Sequence, residues 1–149
     1  MSVPRPALDE RAREALDAID QPVSVATAVR DRSGLLLDFR LLHVNIAAAR
    51  WAGLPVASMV GRLLTDVIPV MRPSGLFDVL ARVVSTGQPF HQAGQHYQGS
   101  VEDGRSFSAR FELRAIRVGD GYLSAWTEMS DGVRTDLGEI LDRARAAVP

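Results

Sequence analysis

Chemistry that needs a titratable or metal-ligating side chain has few places to sit in this 149-residue chain: its histidines are His43, His91 and His96, and it has no cysteine. Without a thiol there is no thiolate zinc site, iron–sulfur cluster, disulfide or cysteine nucleophile. The 17 basic residues are all arginine, which removes Schiff-base and P-loop lysine chemistry as well. His91 and His96 lie five apart in a segment read as a strand, a spacing that sends their side chains to opposite faces. They are therefore read as solvated or hydrogen-bonded strand residues rather than a metal pair. Asp38 and His43 are neighbours in sequence only, and spacing alone does not make them an acid–base pair. No G-x-S-x-G, phosphate-cradling glycine loop, H-E-x-x-H or carboxylate pair on a recognisable scaffold is found. The expectation is no catalytic residue, no metal and no enzyme.

The elements that must position these side chains belong to one domain with a real core, since 46% of the residues are hydrophobic. The net charge of -1, with 18 acidic residues against the arginines, includes no basic block and so no nucleic-acid footprint. The N-terminus, Met1 to Pro6, lacks the apolar run of a signal peptide. The longest apolar runs fall far short of the roughly 18 residues that span a bilayer. A cytoplasmic protein without membrane contact is expected.

Residues 7–19 place Leu8, Leu16 and Ile19 on one stripe of an amphipathic helix. A strand at 23–29, the turn Asp31-Arg32-Ser33-Gly34 and a second strand at 35–44 read as a hairpin. Alternation in the second arm puts Leu37, Phe39 and Leu41 on the inner face, and the same parity adds His43. Asn45 caps a short helix that ends at Gly53. Proline and glycine then break 54–73 into helical turns carrying Met59, Leu63, Leu64 and Val67 inward, and Ser74 caps a firmer helix of Leu76, Phe77, Leu80, Val83 and Val84. Strands at 89–98, 106–118 and 122–129 form a meander, the middle one alternating Phe107, Ala109, Phe111, Leu113 and Ala115 against polar residues. From Ser130 a final helix carries Val133, Leu137, Ile140 and Ala144 at coiled-coil spacing. Whether it pairs with a second copy or lies back on its own sheet is open.

The fold class expected is α+β: a single five-stranded antiparallel sheet with short helices and one longer helix on one face, plus N- and C-terminal amphipathic helices. The helices and the sheet would enclose an apolar space whose candidate lining is Phe39, Leu41, His43, Trp51, Leu63, Val67, Leu76, Phe77, Leu80, Phe111 and Leu113. His43 has two readings, a group whose charge answers to ligand or pH and a core histidine satisfied by backbone or water. Trp51 likewise lines a pocket or fills the core.

Three stretches carry a resemblance to a known family. Residues 38–48, Asp-Phe-Arg-Leu-Leu-His-Val-Asn-Ile-Ala-Ala, are similar to its D-F-R-I-x-Y-V-N-P-A-A passage from strand to helix. Residues 60–69, Val-Gly-Arg-Leu-Leu-Thr-Asp-Val-Ile-Pro, resemble its G-R-x-L-x-D-x-x-P stretch, and residues 83–89, Val-Val-Ser-Thr-Gly-Gln-Pro, its V-x-x-T-G-x-P exit. In this order, with the closing Trp126-Thr127-Glu128-Met129-Ser130-Asp131, they resemble the PAS sensor domains over roughly residues 13–131. His43 and Ile46 depart from the usual aromatic and proline.

The resemblance implies a helix at 1–20, a PAS-like domain at 21–131 and a signalling or linker helix at 132–149. It implies a non-catalytic sensory domain that forms a homodimer through Leu8, Leu16, Ile19, Val133, Leu137 and Ile140. Such a domain would regulate an output module or partner protein, and its apolar space either takes a small apolar ligand or is filled by its own side chains, which the sequence leaves open. The alternative is a ligand-free dimerisation module. Haem and flavin are disfavoured as cofactors: residues 74–86, the long helix that supplies the axial histidine in haem-binding members, contain no histidine, and the photoactive flavin adduct needs a cysteine.

Overall fold

The computed structural model describes residues 8–129. Four helices and five strands follow one another as α1 (Glu10–Asp17), β1 (Val23–Arg30), β2 (Leu36–Val44), α2 (Ile46–Ala52), α3 (Leu64–Val67), α4 (Leu76–Thr86), β3 (Phe90–Ser100), β4 (Ser106–Arg117) and β5 (Gly121–Met129). Single 3₁₀ turns at Val56–Ser58 and Pro69–Met71 join the helices between β2 and α4. The strands form one antiparallel sheet in the order β2-β1-β5-β4-β3. The first hairpin therefore joins the edge of the final meander through β1 and β5, and the α+β architecture is as expected. The C-terminal helix expected from 132, with Val133, Leu137 and Ile140, lies outside the described residues.

Local chemistry explains the boundaries. Asp9 accepts from the Ala12 amide at 2.7 Å and opens α1, while Asp31 folds back on Ser33 and Leu35 to close the β1–β2 turn. Asn45 accepts from the Ala48 amide at 2.9 Å and caps α2, which stops at Gly53 in the left-handed region. The first residue of β5 must be small, because a Cβ on Gly121 would lie 1.9 Å from the Ala26 carbonyl oxygen of β1. At α4 the cap differs from expectation: Gly75, with φ +82°, occupies the cap position, and Ser74 reaches past it to accept from the Leu76 amide at 3.3 Å.

Two irregularities in β2 overturn the simple alternation. The register with β1 slips between Val25 and Ala26 and again between Val29 and Arg30, leaving Leu42 and Leu37 as extra residues on β2. Leu37 is consequently exposed rather than inward. Beyond Leu42 the faces exchange, so Val44 joins Leu41 against the core and His43 turns away from it. A third bulge, at Gly94 with φ +84° in β3, corrects the other histidines. It places both His91 and His96 on the outward face, opposite Arg114 and Arg110.

The core lies between the inner sheet face and the helical cluster. Phe39, fully buried, meets Phe77 of α4 and Tyr122 of β5 at ring-centroid distances of 5.4 and 4.9 Å. Asp38, at the edge of the sheet, is buried by α3: its carboxylate accepts from the Thr65 hydroxyl and from the Phe39 amide.

Candidate functional site

The helical cluster and the sheet do not close completely. A cavity of about 100 Å³ remains between them. Its roof is Leu76, Val79 and Leu80 of α4 with Met59, Leu64, Ile68, Val70 and Met71 from the turns before it, and its floor is the inner face of the sheet. Leu41, Phe111, Leu113, Ala115, Tyr122 and Trp126 belong to that floor, and Trp51 of α2 also lines the space. The walls are almost wholly apolar.

Of the residues expected to line such a space, the structure brings Leu41, Trp51, Leu76, Leu80, Phe111 and Leu113 to it. Phe39, Val67 and Phe77 are buried in the adjoining core instead. Leu63 is half-buried and pairs across a lone bridge with Arg40. His43 is the clear departure. Its imidazole is buried, yet because of the bulge at Leu42 it faces α1, where Nε2 lies 3.2 Å from Asp17 Oδ1. Val44, Tyr97, Tyr122 and Trp126 are lining residues that the sequence reading missed. The even spacing of Tyr122, Ser124 and Trp126 along β5 is the signal that finds three lining residues on that strand.

The polar groups at the cavity are few and mostly engaged. The Ser24 and Ser124 hydroxyls lie 2.9 Å apart, and Ser24 also bonds the Tyr122 hydroxyl. Complete burial pushes that phenol far above the usual tyrosine range, the bond from Ser24 opposing the shift. The Tyr97 hydroxyl donates to Gln92 Oε1 at 2.8 Å, and burial raises its ionisation too. Arg114 reaches the wall with its charge turned outward to Glu112. The Trp51 indole N–H donates to Glu128 Oε1 at 2.8 Å, and Arg105 pairs with the same carboxylate while lying over the Trp51 ring. The Trp126 indole N–H has no acceptor among the described residues.

On the outer face His91 pairs with Glu112 at 3.1 Å and His96 lies 3.1 Å from the Ser108 hydroxyl. Hydrogen bonds from Arg114 and, to a lesser degree, from His91 hold the Glu112 carboxyl below the usual range. Among the described residues no three His, Asp or Glu side chains gather in a way that would hold a metal ion. No described helix is long and apolar enough to cross a membrane.

Comparison with solved structures finds the same fold repeatedly. The PAS domain of Bordetella pertussis BvgS superposes with a TM-score of 0.59 at 19% identity, covering 93% of this chain and 97% of that one. A domain of a sensory box sensor histidine kinase/response regulator from Geobacter sulfurreducens gives 0.54 at 19%, covering 78% and 90%. The PAS domain of nitrogen regulation protein NR(II) from Vibrio parahaemolyticus gives 0.51 at 15%, covering 82% and 100%. No curated protein matches the sequence. The sequence profile described as PAS fold matches residues 23–130, most of the chain, and with the sheet order and helical cover described above it makes this chain a member of the PAS fold family.

Proposed function

We propose that this PAS domain is a non-catalytic cytoplasmic sensor that takes a small apolar ligand into the cavity under α4 and signals to an output module as a homodimer. The observation that carries the reading is the cavity itself. Apolar space of this kind stays dry and is filled favourably by a small apolar guest, as in engineered cavities of about 150 Å³. At about 100 Å³ the space is well below the roughly 300 Å³ at which drug-sized pockets begin, so the guest is a molecule of a few heavy atoms.

Trp51 supplies the route outward. It lines the cavity and is bonded to Glu128 near the end of β5, so a guest that shifts Trp51 acts directly on the strand that leads to residue 130. The histidine kinase named for the Geobacter relative is the kind of output such a lever would serve. Native mass spectrometry of gently purified protein tests the reading: a bound small molecule, lost when the cavity is filled by mutation, is expected. A clean apo mass with no binding of small apolar probes would overturn it.

A second reading, self-association without a ligand, has its own observation. Ile19 after α1 and Ile46 at the start of α2 are both exposed and flank one groove. Sedimentation of the whole chain should show concentration-dependent dimers weakened by Leu16→Asp or Leu137→Asp. A monomer at every concentration would count against dimerisation in either reading.

A further inference from the structure

Among the described residues one side-chain polar atom is buried without a partner, and it belongs to a residue that lines the cavity. Trp126 is 8% exposed, its indole nitrogen is buried, and among the described residues nothing accepts its hydrogen bond. A buried N–H without an acceptor is costly, and native proteins leave few of them. The other polar side chains at the wall are committed: Ser24 to Ser124 and Tyr122, Tyr97 to Gln92, and Arg114 to Glu112. The neighbouring indole, Trp51, meets Trp126 edge to face at 5.4 Å and has its own carboxylate partner. Water is a poor answer to a single free donor, because a buried water needs two to four polar partners.

Resting on the reading of the cavity as a ligand site, we propose that the guest is a small uncharged molecule with one hydrogen-bond acceptor, a carbonyl or ether oxygen, that takes the Trp126 indole N–H while its apolar body fills the space beneath α4. Charge is excluded by the wall. Among the described residues no carboxylate lines the cavity, and the one arginine there is already paired outward, so an ionised guest would be buried without a counter-charge. The size follows from the volume, which suits a ring of about six atoms.

The test uses the full chain and three probes with one ring: cyclohexanone, methylenecyclohexane, which replaces the carbonyl oxygen by an isosteric CH₂, and cyclohexanecarboxylate. Affinities come from ligand-observed NMR, and the Trp126 indole resonance is followed in the ¹⁵N spectrum. The ketone should bind about tenfold more tightly than the alkene, the difference a satisfied buried donor makes. Only the ketone should move the Trp126 indole proton to the position of a hydrogen-bonded donor, and Trp126→Phe should leave the alkene the tighter ligand, because the carbonyl is then buried without a donor. A ketone-to-alkene affinity ratio that is the same in the unaltered protein and in Trp126→Phe overturns the acceptor assignment while leaving a ligand-binding cavity. Carboxylate binding as tight as the ketone's overturns the uncharged class. An indole proton that already exchanges slowly in the ligand-free protein and ignores the ketone shows the donor to be satisfied from within the chain, which also overturns it. If no probe binds at all, the cavity reading itself fails.

Discussion

The indole N–H of Trp51 donates to Glu128 Oε1 at 2.8 Å, joining α2 to the end of β5 across 77 residues of chain. Arg105, in the loop between β3 and β4, pairs with the same oxygen, so three separate segments meet on one carboxylate. Glu128→Ala removes that acceptor and leaves both donors without it. We expect a loss of about 1–3 kcal/mol in urea denaturation, with Glu128→Gln losing less because its amide oxygen still accepts from Trp51. A double-mutant cycle with Trp51→Phe should show coupling of about 1 kcal/mol. Strictly additive losses would show that the contact contributes nothing.

Asn45 is fully buried and serves both layers of the fold. Its side-chain oxygen accepts from the Val23 and Ala48 amides, and its Nδ2 donates to the carbonyls of Leu16, Ile19 and Gln21. Asn45→Ala removes the cap of α2 and strands several buried backbone groups, so it should cost about 3 kcal/mol or more. Asn45→Asp keeps the acceptor but sets a charge against three carbonyls, and should be no better at pH 7. Retention of near wild-type stability by Asn45→Asp would mean that the three donated bonds matter little.

The contrast between Asn45 and His43 shows what the sequence discloses and what it withholds. Asn45 announces its role because a helix cap is a local device, legible from Asn followed by an alanine-rich turn and a terminal glycine. Its three carbonyl partners around α1 are not local and left no sequence mark. His43 was misplaced because parity counting assumes an unbroken ladder, and the extra residue at Leu42 reverses every face beyond it. The same arithmetic misassigned His91 and His96 across Gly94. Where no bulge intervenes, as along β4 from Phe107 to Ala115, alternation placed each side chain on the correct face. The cavity itself is a shortfall of packing among many side chains, and no single residue encodes it.

The bond between His43 and Asp17 is one of the few ties that hold α1. That helix has eight residues and buries none of them, too short to persist alone. Its attachment depends on Asp17 and on the carbonyls bonded by Asn45. Asp17→Ala should speed amide exchange through residues 13–17 by about fivefold, the equivalent of about 1 kcal/mol. Exchange elsewhere in the sheet should be unchanged. Unaltered exchange in α1 would show that the imidazole does not anchor it.

Tyr122 makes the fold sensitive to alkali. Burial, the leading cause, raises its ionisation far above the ordinary tyrosine value of about 10 that applies in the unfolded chain, with Ser24 opposing the shift and Asp38 adding to it. The folded chain keeps the proton that the unfolded chain loses. This contribution to stability is therefore complete below pH 10 and falls as the pH climbs from there towards the folded value. Stability should be about 1–1.5 kcal/mol lower at pH 11 than at pH 9 on account of this group. Tyr122→Phe should flatten that part of the profile, and absorbance at the tyrosinate band should show Tyr122 ionising only on unfolding. A tyrosinate signal near pH 10 from Tyr122 in the folded protein would contradict its burial.

Ala115 offers the most direct test of whether the space under α4 is real. It is buried on β4, lines the cavity and lies in register with Phe90 of β3 and Ser124 of β5. In a fully packed core, enlarging such a residue to leucine costs about 1–3 kcal/mol because side chains and backbone must move aside. Here the three added carbons have the cavity to enter, and their burial itself is favourable. Ala115→Leu should therefore stay within about 1 kcal/mol of the parent in urea denaturation, while abolishing the binding of cyclohexanone. Leu80→Ala on the opposite wall enlarges the same space and should cost about 2–5 kcal/mol, the lost contacts and added void together. It should still bind small apolar probes. The pair separates the alternatives: tolerance of Ala115→Leu with loss of binding marks a cavity that holds a guest, whereas a large penalty for it marks a core already filled by its own side chains.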